Sequence, residues 1–200
     1  MKKRRIAGMI TGILLLLAGC VTESSYTTAY RQFLEAYVKE NKFAHRARVM
    51  LALIDDDNVP ELILIEDNSH AARVKVYTYY QGSVIELGEF GSTGSMLYAE
   101  KGGMILSGFT GMGECDSDFY HVEDGEAKLV CSMMEYQPLN GSPFYKIDGV
   151  SVTEEAYNKK YEELFDTYEY IWIGYDDALA IWESDLADLL EEARRCLDFG

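Results

Sequence analysis

The strongest constraint on the fold is a pair of short, unbroken apolar runs. Val49-Met50-Leu51-Ala52-Leu53-Ile54 and Leu62-Ile63-Leu64-Ile65 are separated only by Asp55-Asp56-Asp57-Asn58-Val59-Pro60-Glu61. Neither run carries the polar face of a surface helix, and both have the length of strands covered on two faces. Joined by so short a polar connection, they predict a hairpin at the centre of the molecule. Within that connection Asn58 suits a positive φ, and Pro60 can open the second strand where no ladder donor is missed. The chain must then supply covers for both faces of the pair.

The covers are legible on either side. Tyr30, Phe33, Leu34, Tyr37 and Val38 recur at helical spacing, which predicts an amphipathic helix over 29–41 with Thr27 or Thr28 as its N-cap. Alternating runs follow the hairpin: Val74 to Tyr80, Gln81-Gly82, Val84 to Phe90, then Phe119 to Glu123, Asp124-Gly125 and Glu126 to Met133, with a further apolar strand over Met104 to Phe109. Asp-Gly between alternating runs is a strong hairpin signal, so these strands form an antiparallel meander. Ser151 and Glu154 have capping-box spacing before a helical stretch, and Leu186, Leu189, Leu190, Ala193 and Leu197 repeat at helical period, with Arg194 and Arg195 suiting that helix's last turn. The predicted fold is α+β: one antiparallel sheet with an N-terminal helix before it and C-terminal helices packed on it.

The first twenty residues speak of export. Lys2-Lys3-Arg4-Arg5 precede an apolar run over 6–19, shorter than the ~20 residues a spanning helix needs, and polar Thr22, Glu23 and Ser24 follow. Leu17-Ala18-Gly19-Cys20 resembles the lipobox of bacterial lipoproteins. That resemblance implies a diacylglyceryl group on the Cys20 thiol and cleavage just before it, leaving acyl chains such as palmitate as the membrane anchor. The expected organisation is therefore a signal peptide over 1–19, a lipidated Cys20 with a flexible tether to residue 28, and a single domain over 29–200. It places the protein on the extracytoplasmic face of the cell membrane.

Charge narrows the partners. Four of the 18 basic residues lie in the leader, which leaves 14 against 34 acidic ones and a formal charge of −20 on the mature chain. Such a body repels phosphate backbones, which argues against nucleic acid, and it attracts cations. The acidic connection is the natural place to look for one. An EF-hand count from Asp55 puts Val59 and Pro60 on the fifth and sixth positions, which excludes that loop. The segment instead resembles the turn D-x-D-x-D-G-x-x-E found between strands of secreted bacterial proteins. Aligned on Pro60-Glu61-Leu62, that resemblance implies Asp55, Asp57 and Glu61 as calcium ligands, with Asn58 in the glycine's place and Leu53 where the first Asp stands. A bare solvated turn is the other reading.

Catalytic patterns are scarce. His45, His70 and His121 belong to no HExxH, no G-x-S-x-G elbow is present, and Gly108 to Gly113 lacks the lysine of a phosphate loop and reads as a tight strand connection. Cys115 and Cys131 flank the Asp124-Gly125 turn and are the expected disulfide if a bulge brings them opposite one another; buried free thiols are the alternative. Tyr77 and Tyr79 share a strand face with Arg73 and Lys75, and are the candidates to contact an envelope protein, peptide or glycan, or else to pack against a helix. The mature part is similar to a loose group of small Gram-positive lipoproteins, through Pro60-Glu61-Leu62 and the pattern Tyr145, Ile147, Gly149, Val152, Glu155... with its closing Tyr157. That group implies no established activity. Two functions of different class follow: a non-catalytic binding module of the cell envelope, or an envelope or glycan-acting enzyme whose site the sequence does not name.

Overall fold

The structure, a computed structural model, describes residues 24–181. Its helices and strands form four layers: a helix, a five-stranded sheet, a seven-stranded sheet and a second helix. The fold is α+β and antiparallel throughout its sheets, as expected, but the strands divide into two sheets where one was expected.

The first sheet has the order β12-β1-β2-β3-β4, with β1 Arg48–Ala52, β2 Glu61–Ile65, β3 Val74–Tyr80, β4 Ser83–Phe90 and β12 Leu179–Ala180. The second runs β10-β9-β8-β7-β6-β5-β11, with β5 Ser95–Ala99, β6 Met104–Gly111, β7 Glu114–Glu123, β8 Glu126–Tyr136, β9 Phe144–Ile147, β10 Val150–Val152 and β11 Tyr170–Gly174. Helix α1 (Ser24–Glu40) and helix α2 (Glu154–Phe165) close the two outer faces.

The central hairpin is present, with Leu51 opposite Leu62 and Ala52 opposite Glu61. Every residue of β2 is buried, because its two faces serve different cores. Leu62 and Leu64 meet Tyr26, Tyr30 and Leu34 of α1, while Ile63 and Ile65 meet Met96, Tyr98 and Ile105 across the sheet interface. Burying each such side chain contributes on the order of 2 kcal/mol. A third core lies under α2, where Tyr157 joins Phe119, Cys131, Met133 and Tyr145. The Tyr145 and Tyr157 rings sit 5.1 Å apart, so the segment 145–157 is a hairpin folded back to seat the start of α2.

Several expectations are corrected in detail. Helix α1 begins at Ser24, so Thr27 and Thr28 lie inside it rather than at its cap, and the stretch expected to be tether is helical from Ser24 onward. The cap of α2 is Thr153, whose hydroxyl accepts the Ala156 N–H; Ser151 belongs to β10. Asn58 keeps a negative φ. The turns at Gln81-Gly82 and Asp124-Gly125 do take positive φ at both residues, as two-residue hairpins require. The periodic segment over 186–197 and Cys20 lie outside the described residues. Among the described residues, no helix is long and apolar enough to cross a membrane.

Candidate functional site

The acidic connection forms one wall of a cleft at the end of the sandwich. The cleft measures about 420 Å³ and is lined by Asp55, Asp56 and Asp57, by Tyr80, by Lys101, Gly102 and Gly103, and by His121 to Asp124. A shallower neighbour of about 690 Å³ continues past Tyr80 between the β3–β4 and β7–β8 turns, where Glu86 and Glu126 add further carboxylates. The two share Tyr80 and Asp124.

Backbone bonds hold the walls together. The N–H of Lys101 donates to the Leu53 carbonyl and that of Gly103 to the Ile54 carbonyl, each at 2.8 Å, and Val122 N–H donates to Gly103 at 2.7 Å. Gly103 sits at φ +66 with His121 Nε2 and the Val122 carbonyl each 3.2 Å from where a Cβ would stand, so both the left-handed backbone and the close approach favour glycine there. The turn between β5 and β6 is thereby stitched to the end of β1, and the carboxylates of the first sheet come to face those of the second.

Within the turn the side chains bond locally. Asp55 Oδ1 accepts the Asp57 N–H at 3.0 Å, and Asp57 Oδ1 accepts the Val59 N–H at 2.6 Å, two successive Asx turns. Partial burial, with Asp57 and Asp56 adding repulsion, pushes the Asp55 carboxyl up to about 6. Glu61 is not part of the cleft lining. It is fully buried, its Oε2 accepting the Ile54 N–H at 2.9 Å and its Oε1 the Thr78 hydroxyl at 3.2 Å. Burial first, then the charges of Asp55 and Asp57, raise its carboxyl to about 8.

The calcium reading is thus only partly assembled. Asp55 lines the cleft beside Asp57, whereas the oxygens of Glu61 are engaged inside the fold. Among the described residues, no three His, Cys, Asp or Glu side chains form a group arranged for a metal ion.

Two other sequence candidates are corrected. Cys131 stands opposite Phe119 and Cys115 opposite Glu135, so four residues of β7, about 13 Å of strand, separate the thiols' registers. Both are free cysteines, since a bridge needs Cα atoms within about 7 Å. Tyr77 is buried and its ring centroid lies 4.5 Å from that of Phe33, while Tyr79 is half-buried against the same core. Helix α1 covers the face expected to meet a partner. Beside it Lys75 pairs with Glu66 at 3.0 Å and Glu89 at 3.6 Å, and Arg73 donates to the Gly91 carbonyl.

Sequence reasoning missed Tyr80, Lys101, His121, Glu123 and Asp124 as cleft residues. The signal lay in two glycine turns, Gly102-Gly103 and Asp124-Gly125, which needed only to be placed at the same end of the molecule as the acidic turn. No protein-family model matches the chain, and no curated protein or solved structure matches it.

Proposed function

We propose that this chain is a lipid-anchored, extracytoplasmic binding module of the cell envelope, held by Cys20, whose ligand site is the acidic cleft. The observation that supports this reading is the composition of the cleft wall, where, among the described residues, Asp55, Asp56, Asp57, Glu123 and Asp124 face only Lys101 and His121 as basic groups. A low-dielectric wall of one charge sign focuses field and concentrates counter-charge, so the ligand class is cationic: basic side chains of an envelope protein or peptide, with calcium as a second cation for Asp55 and Asp57. Nucleic acid is repelled by the same field.

Calorimetric titration of the mature protein with a tri-lysine peptide and, separately, with calcium chloride tests the site. Saturable binding of either that disappears in Asp55→Asn/Asp56→Asn/Asp57→Asn supports it; no heat from either probe at low salt removes it. The anchor is tested by Cys20→Ala, which should leave the precursor uncut or release the protein from the membrane fraction. An unchanged, processed, membrane-bound product contradicts the anchor.

One observation favours a second reading, a glycan-acting envelope enzyme. Asp55 lines a cleft with its carboxyl raised to about 6, the range in which a carboxylic acid serves as proton donor near neutral pH. Turnover of a cell-wall glycan lost in Asp55→Asn, with tri-lysine binding retained, would select the enzyme.

A further inference from the structure

Helix α1 has a direction relative to the cleft, and that direction has a consequence for the anchored protein. Tyr30 donates its hydroxyl to the Pro60 carbonyl at 2.9 Å, at the acidic-turn end of β2. Seven residues later Tyr37 donates to Glu66 Oε1 at 3.2 Å, at the opposite end of the same strand. The helix therefore runs with β2, and its N-terminus emerges at the cleft end. Ser24 lies six residues before Tyr30, a further 9 Å or so along the helix axis. Tyr26 packs edge-on to Tyr30 at 5.9 Å, which keeps this first part of the helix on the body of the protein.

Only Val21, Thr22 and Glu23 stand between Cys20 and Ser24. Whatever their conformation, four residue steps reach at most about 14 Å. The far end of the sandwich is much more distant. The cleft holds His121 to Asp124 at one end of β7, and the other end of that ten-residue strand, where Gln137 N–H donates to the Gly113 carbonyl, lies about 30 Å away.

We infer that the sandwich stands end-on upon the bilayer, with the acidic cleft turned toward the lipid head groups and the Met112-Gly113 turn and Leu139 pointing away. The inference rests on the lipid anchor proposed above. Its partner is the membrane surface itself, and it makes the cleft reachable only to ligands at head-group level. Because the carboxylates of the cleft repel anionic head groups across a Debye length of about 8 Å, the short connection rather than electrostatic attraction holds this end down.

The test uses the full lipidated protein in phosphatidylcholine vesicles that carry an acceptor dye on the head group. A donor dye is placed on Asp56→Cys or on Leu139→Cys, with Cys115→Ser, Cys131→Ser and Cys196→Ser removing competing thiols. Glu123→Cys and Met112→Cys serve as second positions for the near and far ends should either first variant fail to fold. Energy transfer at least about twofold stronger from the near end is expected for sites some 30 Å apart. Equal transfer from both ends, or stronger transfer from the far end, overturns the orientation. Inserting about 15 Gly/Ser residues between Glu23 and Ser24 should erase the difference, since such a linker reaches roughly 20 Å on average in any direction. Mass spectrometry of the same preparation separates the two claims: a Cys20 without diacylglyceryl refutes the anchor, and the orientation with it, whereas a lipidated Cys20 with no near–far difference refutes the orientation alone.

Discussion

Glu61 Oε2 accepts the backbone N–H of Ile54 at 2.9 Å, closing the mouth of the central hairpin from inside. With the Thr78 hydroxyl on its other oxygen, the side chain spans β2, β3 and the start of the acidic turn. A fully buried carboxylate in this place links the stability of the core to pH.

The sign follows from the two states. Folded, Glu61 keeps its proton to about pH 8; unfolded, it loses it near 4.5. Between those values the native state binds the extra proton, so stability falls as pH rises and the loss is complete above about 8. Asp55 acts in the same sense between 3.8 and about 6. Glu61 carries most of the effect, because Asp55 is only partly buried and solvent screens its share. Glu61→Gln, whose carboxamide can serve both partners without charge, should flatten the curve and melt above the wild type at alkaline pH. Thermal unfolding across the range from acid to about pH 9 checks this.

Tyr30→Phe removes the donor to the Pro60 carbonyl while keeping the ring, which is fully buried. Pro60, whose own carbonyl this is, is buried, so water does not readily replace the bond. A loss of about 1–2 kcal/mol in urea denaturation is expected, without change in the denaturant slope.

Thr153→Ala should destabilise the protein by about 1 kcal/mol, because the hydroxyl satisfies the Ala156 N–H at the start of α2. Ser151→Ala, on the exposed face of β10, should change stability by less than about 0.5 kcal/mol. Paired denaturation curves of the two variants distinguish the observed cap from the one that sequence spacing suggests.

The registers of Cys115 and Cys131 predict indifference to redox state. With Cys196, which lies outside the described residues, replaced by Ser, melting temperature should be the same with and without reductant, and Cys115→Ser should be close to neutral. In that background a reductant-dependent drop would require a Cys115–Cys131 bridge, which this strand pairing does not permit.

Much of the fold was legible because short apolar runs and two-residue turns act locally. The alternation from Val74 to Phe90 and the positive φ at Gln81-Gly82 and Asp124-Gly125 depend on a few neighbours each. The division into two sheets was not legible, since nothing in Phe90-Gly91-Ser92-Thr93-Gly94-Ser95 announces that the chain leaves one sheet for another. Strand β11, Tyr-Ile-Trp-Ile-Gly, passes without a signal of its own because its neighbour β5 lies more than seventy residues earlier. The cleft was half legible. Asp55 to Asp57 stood out, but His121 and Glu123 became relevant only through the Gly103 contacts, and the inward turn of Glu61 depends on a hydroxyl seventeen residues away. Tyr77 and Tyr79 looked like a partner surface for the same reason that they make a good seat for α1: an aromatic strand face suits either cover.

The complete burial of Glu61-Leu62-Ile63-Leu64-Ile65 also bears on how the chain becomes folded. A strand sealed on both sides has two covers to wait for, and until α1 and the second sheet arrive it is a low-charge, β-prone stretch open to other copies. Asp55-Asp56-Asp57 before it and Glu66-Asp67 after it flank that stretch with negative charge, the arrangement of gatekeepers that slows self-association. The acidic turn therefore sets repelling charge beside that stretch while the newborn polypeptide is still uncovered.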